Sequence, residues 1–135
     1  MVENKTVKRD NMTNPTKNEQ LSELLKELRK TGNIKGSAVI SVDGLLIASD
    51  IYGADEETFA AMSAAMFGSA ETAVSELKQG KLAQVIAEAE KCKIISVAAG
   101  EKAILIMLTD PKINLGLALL ELSRTAKKIE SILEK

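Results

Sequence analysis

From Asn18 onward apolar residues recur at three-and-four spacing, with Leu21, Leu24, Leu25 and Leu28 set among charges. This predicts an amphipathic helix that ends at Gly32, just past Lys30. Residues 1–17 carry no such period, and their Asn, Thr, Lys and Asp side chains can bury no face, so they are expected to form a flexible tail ahead of one domain spanning 18–135. Two short apolar runs follow, Gly36 to Val42 and Leu45 to Ser49, joined by Asp43-Gly44. That dipeptide accepts the positive φ angles of a two-residue type I′ turn, so the runs are expected to form a hairpin.

Asp55 to Gln79 reads as a long helix, with Asp55 as N-cap, Glu56 and Glu57 against the positive end of the helix dipole, and Gly80 closing it. Three strand patterns come next: Lys81 to Ala89, Cys92 to Ala99 and Lys102 to Thr109. The first alternates, placing Leu82, Gln84, Ile86 and Glu88 on one face and Ala83, Val85, Ala87 and Ala89 on the other. The last, Ala103 to Leu108, is apolar on both faces and so belongs in the middle of a sheet covered above and below. Asp110-Pro111 breaks it, and after Asn114 a final helix carries the stripe Leu115, Leu119, Leu122, Ala126, Ile129 and Leu133. The order is α-β-β-α-β-β-β-α. It predicts an α/β (α+β) fold with a five-stranded, mainly antiparallel sheet, a helix pair on one face and the long helix on the other.

The long helix carries two stripes. Phe59, Met62, Met66, Ala73 and Leu77 form a large-residue stripe, and Ala61, Ala65, Gly68 and Thr72 form a small-residue stripe on nearly the opposite side. One reading sends the large stripe to the chain's own sheet and leaves the small one in water. A sharper reading has the small stripe admit a second helix at close range. The strand from Lys81 is the other candidate contact, because after a long connection it is expected at a sheet edge, where unpaired backbone groups invite another chain; the alternative is an edge blunted by the charges of Lys81, Glu88 and Glu90. Leu82, Gln84 and Ile86 are its candidate interface residues.

Composition narrows the chemistry. The 135-residue chain contains no histidine, which excludes Ser-His-Asp and Cys-His nucleophiles and histidine-ligated metal sites. Its one cysteine, Cys92, sits in an apolar run and reads as a core residue of a reducing compartment. Asp43, Asp50, Asp55 and Asp110 fall at expected turns or helix starts, where capping accounts for them. Gly32, Gly36 and Gly44 fit neither a phosphate-binding loop nor a dinucleotide fingerprint. No catalytic residue, metal or cofactor is expected. A formal charge of -1 with three aromatic rings argues against nucleic acid. With no apolar run of spanning length and no signal-peptide pattern, a cytoplasmic location and no membrane insertion are expected.

From Leu21 to the C-terminus the chain resembles the Roadblock family, which includes the Roadblock light chain of dynein and prokaryotic partners of Ras-like GTPases. The resemblance is carried by the leading amphipathic helix, Ile34-Lys35-Gly36, the hairpin from Val39 to Ser49, the Ala-rich long helix, the apolar fifth strand and Asn114-Leu115-Gly116-Leu117. It implies a dimer, with itself or with a related Roadblock-like chain, that binds and regulates or scaffolds a Ras-like small GTPase. It implies no catalytic residues, and the strand from Lys81 resembles the one that pairs with its copy. Arg29 and Arg124 read as solvated helix-face charges, so a bound GTPase would be affected through its own switch residues and not through a donated arginine. A second reading, a small-molecule sensor domain, needs a concave site with convergent polar groups. The sequence shows no polar cluster to build one.

Overall fold

The computed structural model describes residues 15–31, 33–53 and 55–134. Most of the expected tail, residues 1–14, and Gly32, which was expected to end the first helix, lie outside them. The elements are α1 (Lys17–Arg29), β1 (Ile34–Ser41), β2 (Leu46–Asp50), α2 (Glu56–Glu76), β3 (Gln84–Glu88), β4 (Lys93–Ala98), β5 (Ala103–Thr109) and α3 (Leu115–Leu133), in the order expected. The sheet runs β2-β1-β5-β4-β3, every neighbouring pair antiparallel.

α1 starts one residue before the expected Asn18 because Thr16 caps it. The Thr16 hydroxyl accepts from the Glu19 N–H at 3.1 Å and the Glu19 carboxylate accepts from the Thr16 N–H at 2.9 Å, a reciprocal capping box. α2 is capped by Asp55, whose carboxylate accepts from the Thr58 N–H at 3.1 Å and its hydroxyl at 2.8 Å. These bonds, the backbone one first, hold the Asp55 carboxyl below its ordinary range. Because the folded value is the lower one, the cap stabilises the helix above the ordinary carboxylate range, and that stabilisation is lost as pH falls through the lowered value. α2 ends at Glu76, short of Gln79, because Lys78 takes the left-handed φ of 54° that was expected of Gly80. α3 begins as expected, with the Leu117 N–H donating to the Asn114 side chain at 3.2 Å.

Two cores lie on the two faces of the sheet. α1 and α3 bury Leu21, Leu25, Leu28, Leu122 and Ile129 against Val39, Ile95, Leu105 and Met107. α2 buries Ala60, Ala64 and Phe67 against Ala38, Ile40, Ile104 and Ile106. β5 feeds both cores from successive residues and sits between β1 and β4, as its doubly apolar pattern requires.

The β1–β2 connection corrects the expected type I′ turn. It is a three-residue loop, closed by the Ser41 N–H on the Leu45 carbonyl at 2.8 Å, with the Gly44 N–H on the Ser41 carbonyl at 3.0 Å. Gly44 takes φ 91°, whereas Asp43 is not left-handed, so this is the turn-plus-left-handed-glycine geometry of longer hairpins. A Cβ on Gly44 would also lie 3.2 Å from the Ala61 Cα of α2. Gly44→Ala should therefore cost about 1 to 2 kcal/mol in backbone strain, plus a packing penalty. Gly80, at φ 98° with nothing within 4 Å of an added Cβ, carries the strain alone. In urea denaturation Gly44→Ala should lose more stability than Gly80→Ala. Equal losses would show that the hairpin does not bear on α2.

Candidate functional site

Neither stripe of the long helix is its sheet-facing side. The buried residues of α2 are Ala60, Ser63, Ala64 and Phe67, an arc lying between the two stripes. This corrects the expectation that the large stripe packs on the sheet. Met62 is 63% exposed and Leu77 68% exposed, while Phe59 and Met66 are only partly covered. Small residues suit the buried arc because they let the helix axis come close to the strands, with Phe67 filling the remaining space.

Ala61, Ala65 and Thr72 are exposed, and Gly68 is half-buried with nothing within 4 Å of where its Cβ would stand. With Met62, Met66 and Ala73 they make an outward face that is largely apolar. From Gly68 to Glu76 no residue of α2 is buried. A helical segment of that length is marginal in water without tertiary cover.

β3 lies at the edge of the sheet. It begins at Gln84, later than the expected Lys81, so Leu82 precedes the strand. Leu82 and Val85 pack toward the α2 core and Ile86 toward the helix-pair core, which separates Leu82 from the face it was expected to share with Ile86. The Ala89 N–H donates to the Cys92 carbonyl at 2.9 Å across a two-residue turn. Antiparallel pairing alternates, so the backbone groups of Val85 and Ala87 also face β4. Those of Gln84, Ile86 and Glu88 therefore point off the free edge. No lysine or proline blunts this run.

Arg29 is not the solvated helix-face charge that was expected, and Asp50 is not in a cap. The Arg29 Nε donates to the Asp50 carboxylate at 2.6 Å and its Nη2 to the Asp50 carbonyl at 2.9 Å. The guanidinium also lies over the Tyr52 ring, 5.3 Å from its centre. Arg124 does match its reading, exposed and 3.7 Å from Glu121. Asp110 accepts from the Lys112 N–H at 3.0 Å, as a turn carboxylate. Cys92 is partly buried just ahead of β4 instead of lying within a strand. Among the described residues no helix is long and apolar enough to cross a membrane.

A Methanocaldococcus jannaschii protein described as uncharacterized is 45% identical over 113 residues, covering 83% of this chain and 98% of that protein. A second from the same organism matches equally, at 45% over 113 residues and the same coverage of both chains. Among solved structures, a Roadblock/LC7 domain from Streptomyces avermitilis superposes with a TM-score of 0.80 at 18% identity, over 84% of this chain and 98% of that one. Myxococcus xanthus MglB does so with 0.80 at 19% identity, over 85% and 95%. These two likenesses bear on the fold alone. The family model for the Roadblock/LC7 domain matches residues 20–109, a span from early in α1 to the last residue of β5, and on that match the chain belongs to the Roadblock/LC7 domain family.

Proposed function

We propose that the chain is a non-catalytic, dimeric interaction module that binds and regulates or scaffolds a Ras-like small GTPase. The observations that carry the dimer are the exposed, largely apolar outward face of α2, which has no buried residue from Gly68 to Glu76, and the unpaired β3 edge. A symmetric antiparallel pairing of two β3 edges turns one protomer about an axis perpendicular to the sheet, so both α2 helices stay on one face and can meet through Ala61, Ala65, Gly68 and Thr72. Leu82 joins that α2 side, and Gln84 and Ile86 belong to the strand pairing itself. The GTPase is supported by membership of the family, whose members include prokaryotic partners of Ras-like GTPases.

The test mixes the purified protein with a Ras-like GTPase encoded in the same genome and measures complex formation and single-turnover GTP hydrolysis. Binding with any stimulation unchanged, within about twofold, in Arg124→Ala is the expected result. A loss of about a thousandfold in that variant, the lower end of what an arginine finger contributes, would show that the protein donates a catalytic arginine. Failure to bind any such GTPase would remove the partner from the reading while leaving the dimer standing.

A further inference from the structure

The free edge runs into a groove of about 310 Å³ between the start of β3 and α3, lined by Gln84, Val97, Ser123, Ala126, Lys127 and Glu130 among others. We propose that this groove receives the β3–β4 hairpin of a second copy of the chain, with Glu88 of the partner subunit paired to Lys127, and that this ion pair favours a like copy over other strands. The inference rests on the dimer proposed above.

The register follows from the backbone. Only Gln84, Ile86 and Glu88 present N–H and C=O groups outward. A two-fold pairing centred on Ile86 uses all three, whereas centring on Val85 or Ala87 leaves one of them out. Centred on Ile86, Gln84 stands opposite Glu88 of the partner subunit, with Cα atoms about 5.5 Å apart in such a hydrogen-bonded pair. No like charges then face each other within the paired strands.

The face follows from the side chains. Gln84 pairs in register with Val97 and Ile86 with Ile95, both of the helix-pair core, so the partner's Glu88 also arrives on the α3 side, at the mouth of the groove. Lys127 is exposed there and makes no hydrogen bond or ion pair among the described residues. Glu130 sits beside the β4–β5 turn, where a Cβ on Gly100 would fall 2.9 Å from its Cγ. The free cation of the groove thus meets the incoming carboxylate. Within its own chain Glu88 has only a loose 3.7 Å contact with Lys93 and stays 66% exposed, available to a second cation.

The test uses two full-length variants, Lys127→Glu and Glu88→Lys, tagged to differ in mass, purified apart, mixed in equal amounts and read by native mass spectrometry. Each homodimer would set like charges together twice, and the mixed dimer would restore both opposite pairs. Chance gives about one half mixed dimers, and pairs of this exposed kind should raise that to about nine-tenths, with the excess shrinking as salt is added. Lys128→Glu mixed with Glu88→Lys has the same net charges but lies off the groove, and should stay near one half. A statistical mixture, or the same excess with Lys128→Glu, overturns the ion pair and leaves the dimer intact. A monomeric wild-type protein overturns the dimer as well.

Discussion

Gly68→Arg should leave the chain folded and make it monomeric. Nothing in the protomer stands within 4 Å of a Cβ at this position, so the substitution needs no internal rearrangement. Replacing glycine inside a helix should itself raise helix stability, by up to about 0.8 kcal/mol. Across the proposed interface the same side chain carries a charge into the closest approach of two helices, where desolvation and overlap together cost several kcal/mol. A penalty of about 3 kcal/mol weakens association more than a hundredfold. Light scattering at micromolar protein should report the mass of one chain, with an unchanged helical spectrum. Gly68→Ala is the counterpart, expected to keep the dimer. If Gly68→Arg keeps the dimeric mass, the small-residue face of α2 is not the interface.

Arg29→Ala should be the more damaging change to the fold. Asp50 is only 7% exposed and receives both the Nε of Arg29 at 2.6 Å and, on its backbone carbonyl, the Nη2 at 2.9 Å. Removing the guanidinium leaves a nearly buried carboxylate without its partner. Breaking a fully buried pair costs about 3 to 5 kcal/mol. Because the arginine keeps 37% of its side chain in solvent, about 2 to 3 kcal/mol is the reasonable expectation here. Arg29→Lys should lose less, since it keeps the charge but not the two-pronged geometry. Adding Asp50→Asn to Arg29→Ala should recover part of the loss, because the stranded charge disappears. Urea denaturation of the four proteins reads this directly, and a loss under about 0.5 kcal/mol in Arg29→Ala would return the residue to an ordinary surface charge.

The same residue shows where reading the sequence stops. Period and turn chemistry locate every element, because Leu21, Leu24, Leu25 and Leu28 or Ala103 to Leu108 bear on burial directly, and burial fixes the order of layers. The partner of Arg29 lies 21 residues on, past two connections and two strands, at the end of β2. Nothing local to Arg29 or Asp50 distinguishes a clamp from two surface charges. The sheet-facing arc of α2 was missed for another reason. Ala60, Ser63 and Ala64 differ too little in hydropathy from Ala61, Ala65 and Ser69 for periodicity to rank them, so the larger Met62 and Leu77 drew the stripe to the wrong side. The Thr16–Glu19 capping box was legible as Ser/Thr followed three residues later by Glu, and it falls at the border of a segment read as tail. The free β3 edge was expected, yet which residues face outward needed the Ala89–Cys92 bond.

The order β2-β1-β5-β4-β3 also bears on how the chain finds its fold. β1 with β2, and β3 with β4 and β5, are joined by short turns and can form early from neighbouring segments. Only the β1–β5 ladder, from Ser41 opposite Ala103 to Ile34 opposite Thr109, joins distant parts of the chain. Its closure traps β2, α2, β3 and β4 inside one loop, and the entropy of closing it comes before any burial that repays it. Once α2 is helical that loop is shorter in space than in sequence, and the Ser49 hydroxyl donating to the Glu56 carboxylate at 2.5 Å pins the start of the helix to the early hairpin. The helix that offers a face to a second chain is thus also the spacer that carries the two halves of the sheet together.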